Sequence, residues 1–295
     1  MVACVALAAS MANAQLLYSI SGKGLEKPSY ILGTYHFASS SFTKEIPGFQ
    51  KAIDETEQVC GEVVMAEMNS PENMAKMQNA MMLPEGKTIQ QMLSEDELSS
   101  LNVVLKQLLG ADFSTPIVSG QLGKLTPGAL SLQLTSLLYL KKNPSFNLND
   151  GIDTYVQTLA TNNKKGTLGL ETIDQQVKLL LEAQTLERQK ELLMCFVNHL
   201  DYQMQMTEDL VKAYYAKDLE GIEKLGDMKL GDSCDNTEEE DYALVEGRNT
   251  DWVAKMPAIM SEKPTFFAVG AAHLIGEKGV LQQLKDAGYT IAPVE

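Results

Sequence analysis

A chain of 295 residues with 44% apolar side chains has ample material for a buried core and belongs with globular proteins. Its formal net charge of −15, from 39 acidic against 24 basic residues, argues against nucleic acid or an anionic membrane as a partner, because both demand clustered Lys and Arg. Four cysteines without C-x-x-C or zinc-type spacing exclude a fold that rests on a disulfide framework.

In chain order, Met1 to Ala14 is an apolar, small-residue stretch ending in Ala12-Asn13-Ala14. It resembles the apolar region and cleavage site of a secretory signal, without the basic start, and predicts an exported protein, periplasmic or extracellular. No later stretch is long and apolar enough to span a bilayer. Of the remaining cysteines, Cys60 reads as core, while Cys195 and Cys234 could bridge in an oxidising compartment.

Strands are predicted at Leu16 to Ser19 and Tyr30 to Gly33, joined by a turn with Gly22, Gly24 and Pro28. A helix over Phe49 to Glu57 and a strand over Glu62 to Met68, ending at Glu67, follow. Strand, helix, strand is the pattern of a crossover in a parallel sheet. From about Pro71 to Ala160 the pattern is helical, as in an inserted cap on a single domain spanning 15–295. Ser94 to Glu97 forms a capping box opening a helix to Leu109, and Pro127 opens another to about Lys141. The methionines clustered from Met65 to Met92 suit a core that flexible thioethers fill.

Sheet signals resume at Gly166 to Leu170, which runs into Glu171. Helical periodicity then covers about Ile173 to Leu200, Asp201 to Lys217 and Glu239 to Met256, with Gly226 to Glu240 as a mobile surface loop between. The chain closes on strand Thr265 to Val269, helix Val280 to Ala287 and strand Tyr289 to Pro293. The expected fold is α/β, a central and mainly parallel or mixed sheet flanked by helices with a large helical insertion.

Chemistry concentrates at the predicted strand ends. The chain holds three histidines, and two of them sit in matched settings: Gly33-Thr34-Tyr35-His36 and Gly270-Ala271-Ala272-His273 each follow an apolar run. An imidazole three residues past such a glycine lies at the lip of a sheet, where open α/β sheets keep their ligands. With Glu67 and Glu171 also at strand ends, two imidazoles and one or two carboxylates could hold zinc, manganese, cobalt or iron. A metal so held would acidify its water, and whichever glutamate is free of it could take the proton. Arg248, in Gly247-Arg248-Asn249, offers a fork for a substrate carboxylate or an oxyanion. Asp153 reads as a helix-start charge, and His199 as structural. H-E-x-x-H, G-x-S-x-G and P-loop patterns are absent from the sequence.

These same residues make the chain resemble the TraB/GumN family and, in sequence pattern, the Tiki proteins. The resemblance rests on the two Gly-x-x-His motifs with Glu67 between them, on Gly169 to Thr172, on the Arg248-Asn249 to Trp252 segment and on Gly276 to Tyr289. It implies a divalent-metal-dependent hydrolase acting on peptides or a small molecule, with manganese or cobalt favoured. His36, Glu67 and His273 would be metal ligands, Glu67, Glu171 and Arg248 catalytic groups, and Gly33, Thr34, Gly270 and Asn249 their support. A similar scaffold occurs in erythromycin esterase-like hydrolases and ChaN-like haem or iron binders, so the alternative is an exported protein that binds haem or metal without turnover.

Overall fold

The structure is a computed structural model that describes residues 15–147 and 150–295. The predicted secretory segment lies outside the described residues. Strands β1 (Leu17–Ser21), β2 (Ser29–Thr34), β3 (Gln58–Gly61), β4 (Gly166–Gly169), β5 (Thr265–Gly270) and β6 (Thr290–Pro293) form one mixed sheet in the order β4-β3-β5-β2-β1-β6. β4, β3, β5 and β2 run parallel, and β1 pairs antiparallel with both β2 and β6. Continuous apolar runs such as Phe266-Phe267-Ala268-Val269 and Tyr30-Ile31-Leu32 fill the middle strands, as expected where helices cover both faces. β4 and β6, at the edges, are partly open to solvent.

One apolar cluster wraps this sheet, with Trp252, Tyr214, Phe266, Phe267 and Ile31 fully buried in it. The other is helical and contains Leu101, Leu105, Leu130, Leu134 and Leu193. The helical cap therefore draws on the helix Leu186–Asn198, which packs on Pro127–Lys142, whereas Ile152–Asn162 packs on β3 beneath the sheet. The predicted helix from Glu95 to Leu109 forms as read: Ser94 and Glu97 complete the capping box and Gly110 ends it in the left-handed conformation, φ 75°.

Two expectations need correction. The strand placed at Glu62 to Met68 lies earlier, at Gln58–Gly61, and Met65–Met68 is a short helix. Only Val63 and Val64 favour a strand there, while Met-Ala-Glu-Met is helix-forming. The segment after Gly226, expected to be mobile, is instead tied down. Cys195 and Cys234 form a disulfide, and Arg188 Nη1 and Nη2 donate to the Ser233 and Asp235 carbonyls at 2.6 and 2.8 Å. Cys60 is buried and free.

Candidate functional site

Every strand of the parallel block ends at a polar side chain on the same rim. β2 leads to His36, β3 to Glu62, β4 to Glu171 and β5 to His273. Their registers align Thr34 with Gly270 and Gly61 with both Ala268 and Gly169, so these ends are level. The Gly270 N–H donates to Glu62 Oε1 at 2.8 Å, which stitches β3 to β5. Gly33 is required by close approach: a Cβ there would meet Leu274 at 2.9 Å and Ala271 at 3.1 Å.

Arg248, at the start of the helix Gly247–Glu262, is the hub of the rim. Its Nε donates to Glu171 Oε1 at 2.7 Å, and its Nη2 to Glu62 Oε2 at 2.6 Å and Glu171 Oε2 at 3.0 Å. Nη1 reaches the Leu244 carbonyl at 3.3 Å and His273 Nε2 at 3.0 Å. All five N–H bonds of the guanidinium are thereby engaged. Trp252 Nε1 adds a bond to Glu171 Oε1 at 2.9 Å, and the Trp252 ring lies 4.7 Å from the guanidinium and 4.4 Å from the His273 ring. A π-helical turn at Tyr242–Glu246 precedes this helix and another, Lys178–Glu182, follows Glu171 on the other side of the rim.

The bonds fix the His273 tautomer. Nε2 accepts from Arg248, so Nδ1 carries the proton and donates to Asn249 Oδ1 at 2.7 Å, while Asn249 Nδ2 donates to the Lys278 carbonyl. Burial, joined by the field of Arg248, lowers the His273 pKa to about 4 and keeps the ring neutral. Burial alone would raise Glu62, but Arg248 holds it below the ordinary carboxylate range. Arg248 loses solvation yet gains more from its bonds to Glu171 and the charge of Glu62, so its own pKa rises.

His36 has a different partner. Its Nδ1 bonds Asp153 Oδ2 at 3.0 Å, and Asp153 Oδ1 accepts from Thr34 Oγ1 at 2.6 Å. The bond to Asp153 outweighs desolvation and pushes the His36 pKa up to about 9, although solvent reaches 72% of the side chain. Burial works against the Asp153 charge, yet His36 and Thr34 keep its carboxyl below the usual range. His36 Nε2 has no hydrogen-bond partner among the described residues. His36, Glu62 and Arg248 line both a cavity of about 400 Å³ and an adjoining one of about 210 Å³, and His273 lines the latter.

The structure thus brings His36, Glu171, Arg248 and His273 to one rim, with Gly33, Thr34, Gly270 and Asn249 around them. It does not bring Glu67, which is exposed on the helix Met65–Met68 and lines neither cavity. Glu62 takes the place expected of Glu67, because β3 ends at Gly61, six residues before Glu67. A readable signal existed: Glu62 directly follows an apolar run closed by Gly61. Asp153 lies in the first turn of the helix Ile152–Asn162, as expected, and is also the partner of His36, 117 positions away in sequence.

Two imidazoles and a carboxylate have the right chemistry for a divalent ion, but their donor atoms are committed elsewhere. His273 has both ring nitrogens bonded, and the Arg248 cation already sits among Glu62, Glu171 and His273. Both Glu62 oxygens also accept bonds, Oε1 from Gly270 and Oε2 from Arg248 and Gln176, which leaves only His36 Nε2 without a partner among the described residues, so a three-ligand site on His36, Glu62 and His273 does not fit this arrangement. The one convergent trio of ligand-type side chains among the described residues is His199, Asp232 and Cys234, and the sulfur of Cys234 is in the disulfide.

The sequence model of the TraB/PrgY/gumN family matches residues 16–293, nearly the whole chain. No curated protein and no solved structure matches the chain.

Proposed function

The chain belongs to the TraB/PrgY/gumN family, and from that premise we propose that the rim is a hydrolase site, with peptide or similar acyl bonds as substrate, in which His36 is the acid–base group. The observation that carries this reading is the His36–Asp153 pair, with Nδ1 anchored on a carboxylate, Nε2 without a hydrogen-bond partner among the described residues, and His36 lining the 400 Å³ cavity. An imidazole fixed in this way presents a defined nitrogen to solvent and, once neutral, can take a proton from a water attacking a carbonyl. Asp153 then stabilises the imidazolium, which returns its proton from Nε2 to the leaving group. Because His36 holds its proton up to about 9, the base form grows as pH rises toward that value.

Arg248 is a positioning residue here. With its donors engaged it cannot take the substrate carboxylate or oxyanion that the sequence suggested without releasing a partner. Its work is to hold Glu62 at the cavity and His273 in one tautomer. A metal-dependent form of the same chemistry would require His273 to exchange Arg248 for the ion. An exported location, periplasmic or extracellular, accords with the Cys195–Cys234 disulfide.

The test is turnover of a panel of fluorogenic peptides and activated esters by the wild type, His36→Gln and Asp153→Asn. The expected rate climbs with pH toward about 9 and is lost in His36→Gln. Turnover that survives His36→Gln refutes the assignment. Turnover abolished by chelator, restored by manganese and dependent on His273 would replace it with the metal-bound form.

A further inference from the structure

We infer that the 400 Å³ cavity accepts a neutral, apolar group beside the bond that is cleaved, and that it turns away substrates carrying a free carboxylate at that point. This rests on the hydrolase reading above and names its substrate class.

The cavity lining is of two kinds: His36, Asp153, Glu62 and Arg248 are polar or charged, and Met65, Met68 and Leu180 are large and apolar. Met65 and Met68 are three residues apart on one short helix and so share a face. Leu180 comes from the π-helical turn Lys178–Glu182 and leaves 47% of its surface exposed, a large apolar side chain at the mouth of a polar site. Exposure of this kind has an outlet if an apolar substrate group covers it.

For an anion the polar residues leave one unengaged charged donor, His36 Nε2, and its charge already has a partner. Arg248 has no N–H remaining, and its charge is balanced by Glu62 and Glu171 at 2.6 and 2.7 Å. Asp153 balances His36 at 3.0 Å. An incoming carboxylate would therefore face Glu62 and Asp153 with no free guanidinium to compensate, and like charges at such range are unfavourable. Neutral polar capacity does remain: Gln176 donates to Glu62 Oε2 at 3.3 Å and keeps its carbonyl and second N–H for an amide. Gln157 offers less, since it is buried, its Nε2 already donates to the Val63 carbonyl and its Oε1 already accepts from the Met65 N–H. A carbonyl held by His36 and Gln176 would share the cavity with Met65, Met68 and Leu180, which its apolar substituent can cover. The volume suits a small-molecule-sized fragment, at the lower end of ordinary ligand pockets.

The experiment is calorimetric binding to the intact protein, with His36 in place so that a carboxylate has its best electrostatic chance. The probes are three dipeptides made hydrolysis-resistant by N-methylation: acetyl-Leu-Leu amide, the same compound as a free acid, and acetyl-Gly-Gly amide. The leucine amide is expected to bind about tenfold or more tightly than the glycine amide, and more tightly than its own free acid. Leu180→Glu and Met68→Glu are expected to weaken the leucine amide about tenfold; both side chains reach solvent, and an unchanged thermal melt shows that the fold holds. A free acid that binds as well as or better than the amide overturns the inference, as do equal affinities for leucine and glycine, failure of all three to bind, or indifference to both substitutions. Because binding is read without turnover, this result stands apart from the His36 rate test.

Discussion

Replacing Asp153 by Asn removes the charge that sets the His36 pKa while preserving shape. Asp153 contributes both the hydrogen bond to Nδ1 and the nearest negative charge, whereas desolvation and Arg248 act in the opposite sense and Glu62 helps from farther away. The folded value of about 9 against the ordinary 6.5 is a gain in proton affinity of about two orders of magnitude. Without the carboxylate, His36 is expected to titrate at 6.5 or below. The chain has three histidines, so imidazole NMR over the range from pH 4 to 10 resolves each one, with His36→Gln, His199→Gln and His273→Gln giving the assignments. His36 should move with the Asp153 substitution while His273, whose bonds go to Asn249 and Arg248, stays near 4. A raised His36 pKa also has a sign for stability. Its contribution is complete below 6.5 and is lost as pH climbs through about 9, and Asp153→Asn should abolish that loss. Wild-type His36 titrating near 6.5, or a high value untouched by Asp153→Asn, refutes the reasoning.

Arg248→Ala leaves two carboxylates at 13 and 8% side-chain exposure without their cation, and a loss of about 3–5 kcal/mol is expected in denaturant unfolding; a variant as stable as wild type contradicts the hub assignment. His273 acts on stability in the reverse direction from His36. Its folded value of about 4 lies below the unfolded 6.5, so stability falls as pH drops from 6.5 toward 4, by about 2 kcal/mol between pH 7 and 5, a slope that His273→Gln should flatten. Reduction of the Cys195–Cys234 disulfide, with 39 positions between its ends, should lower stability by about 3–4 kcal/mol on the chain-entropy estimate, read as a lower melting temperature in a non-thiol reductant and absent from Cys195→Ser.

Local signals in the sequence specified the strand cores, because a buried parallel strand needs an unbroken apolar run, and Tyr30 to Leu32 and Phe266 to Val269 supply one. They also placed both histidines, since Gly33 and Gly270 end those runs, and they started the helix at Glu95 through Ser94 and Glu97. Where the local preference is divided, as from Glu62 to Met68, the apolar pattern carries the strand too far and points to Glu67 in place of Glu62. The pairing of β3 between β4 and β5 settles that end, through bonds to residues more than a hundred positions away.

Composition, spacing and periodicity were enough to show an α/β chain with two imidazoles at strand ends, because these features depend on neighbours in sequence. Which nitrogen is free, which carboxylate meets Arg248 and which one meets His36 depended on the folded chain. Asp153 reaches His36 across 117 positions and Glu62 reaches Arg248 across 186, and contacts at that separation leave no local pattern for a sequence to display.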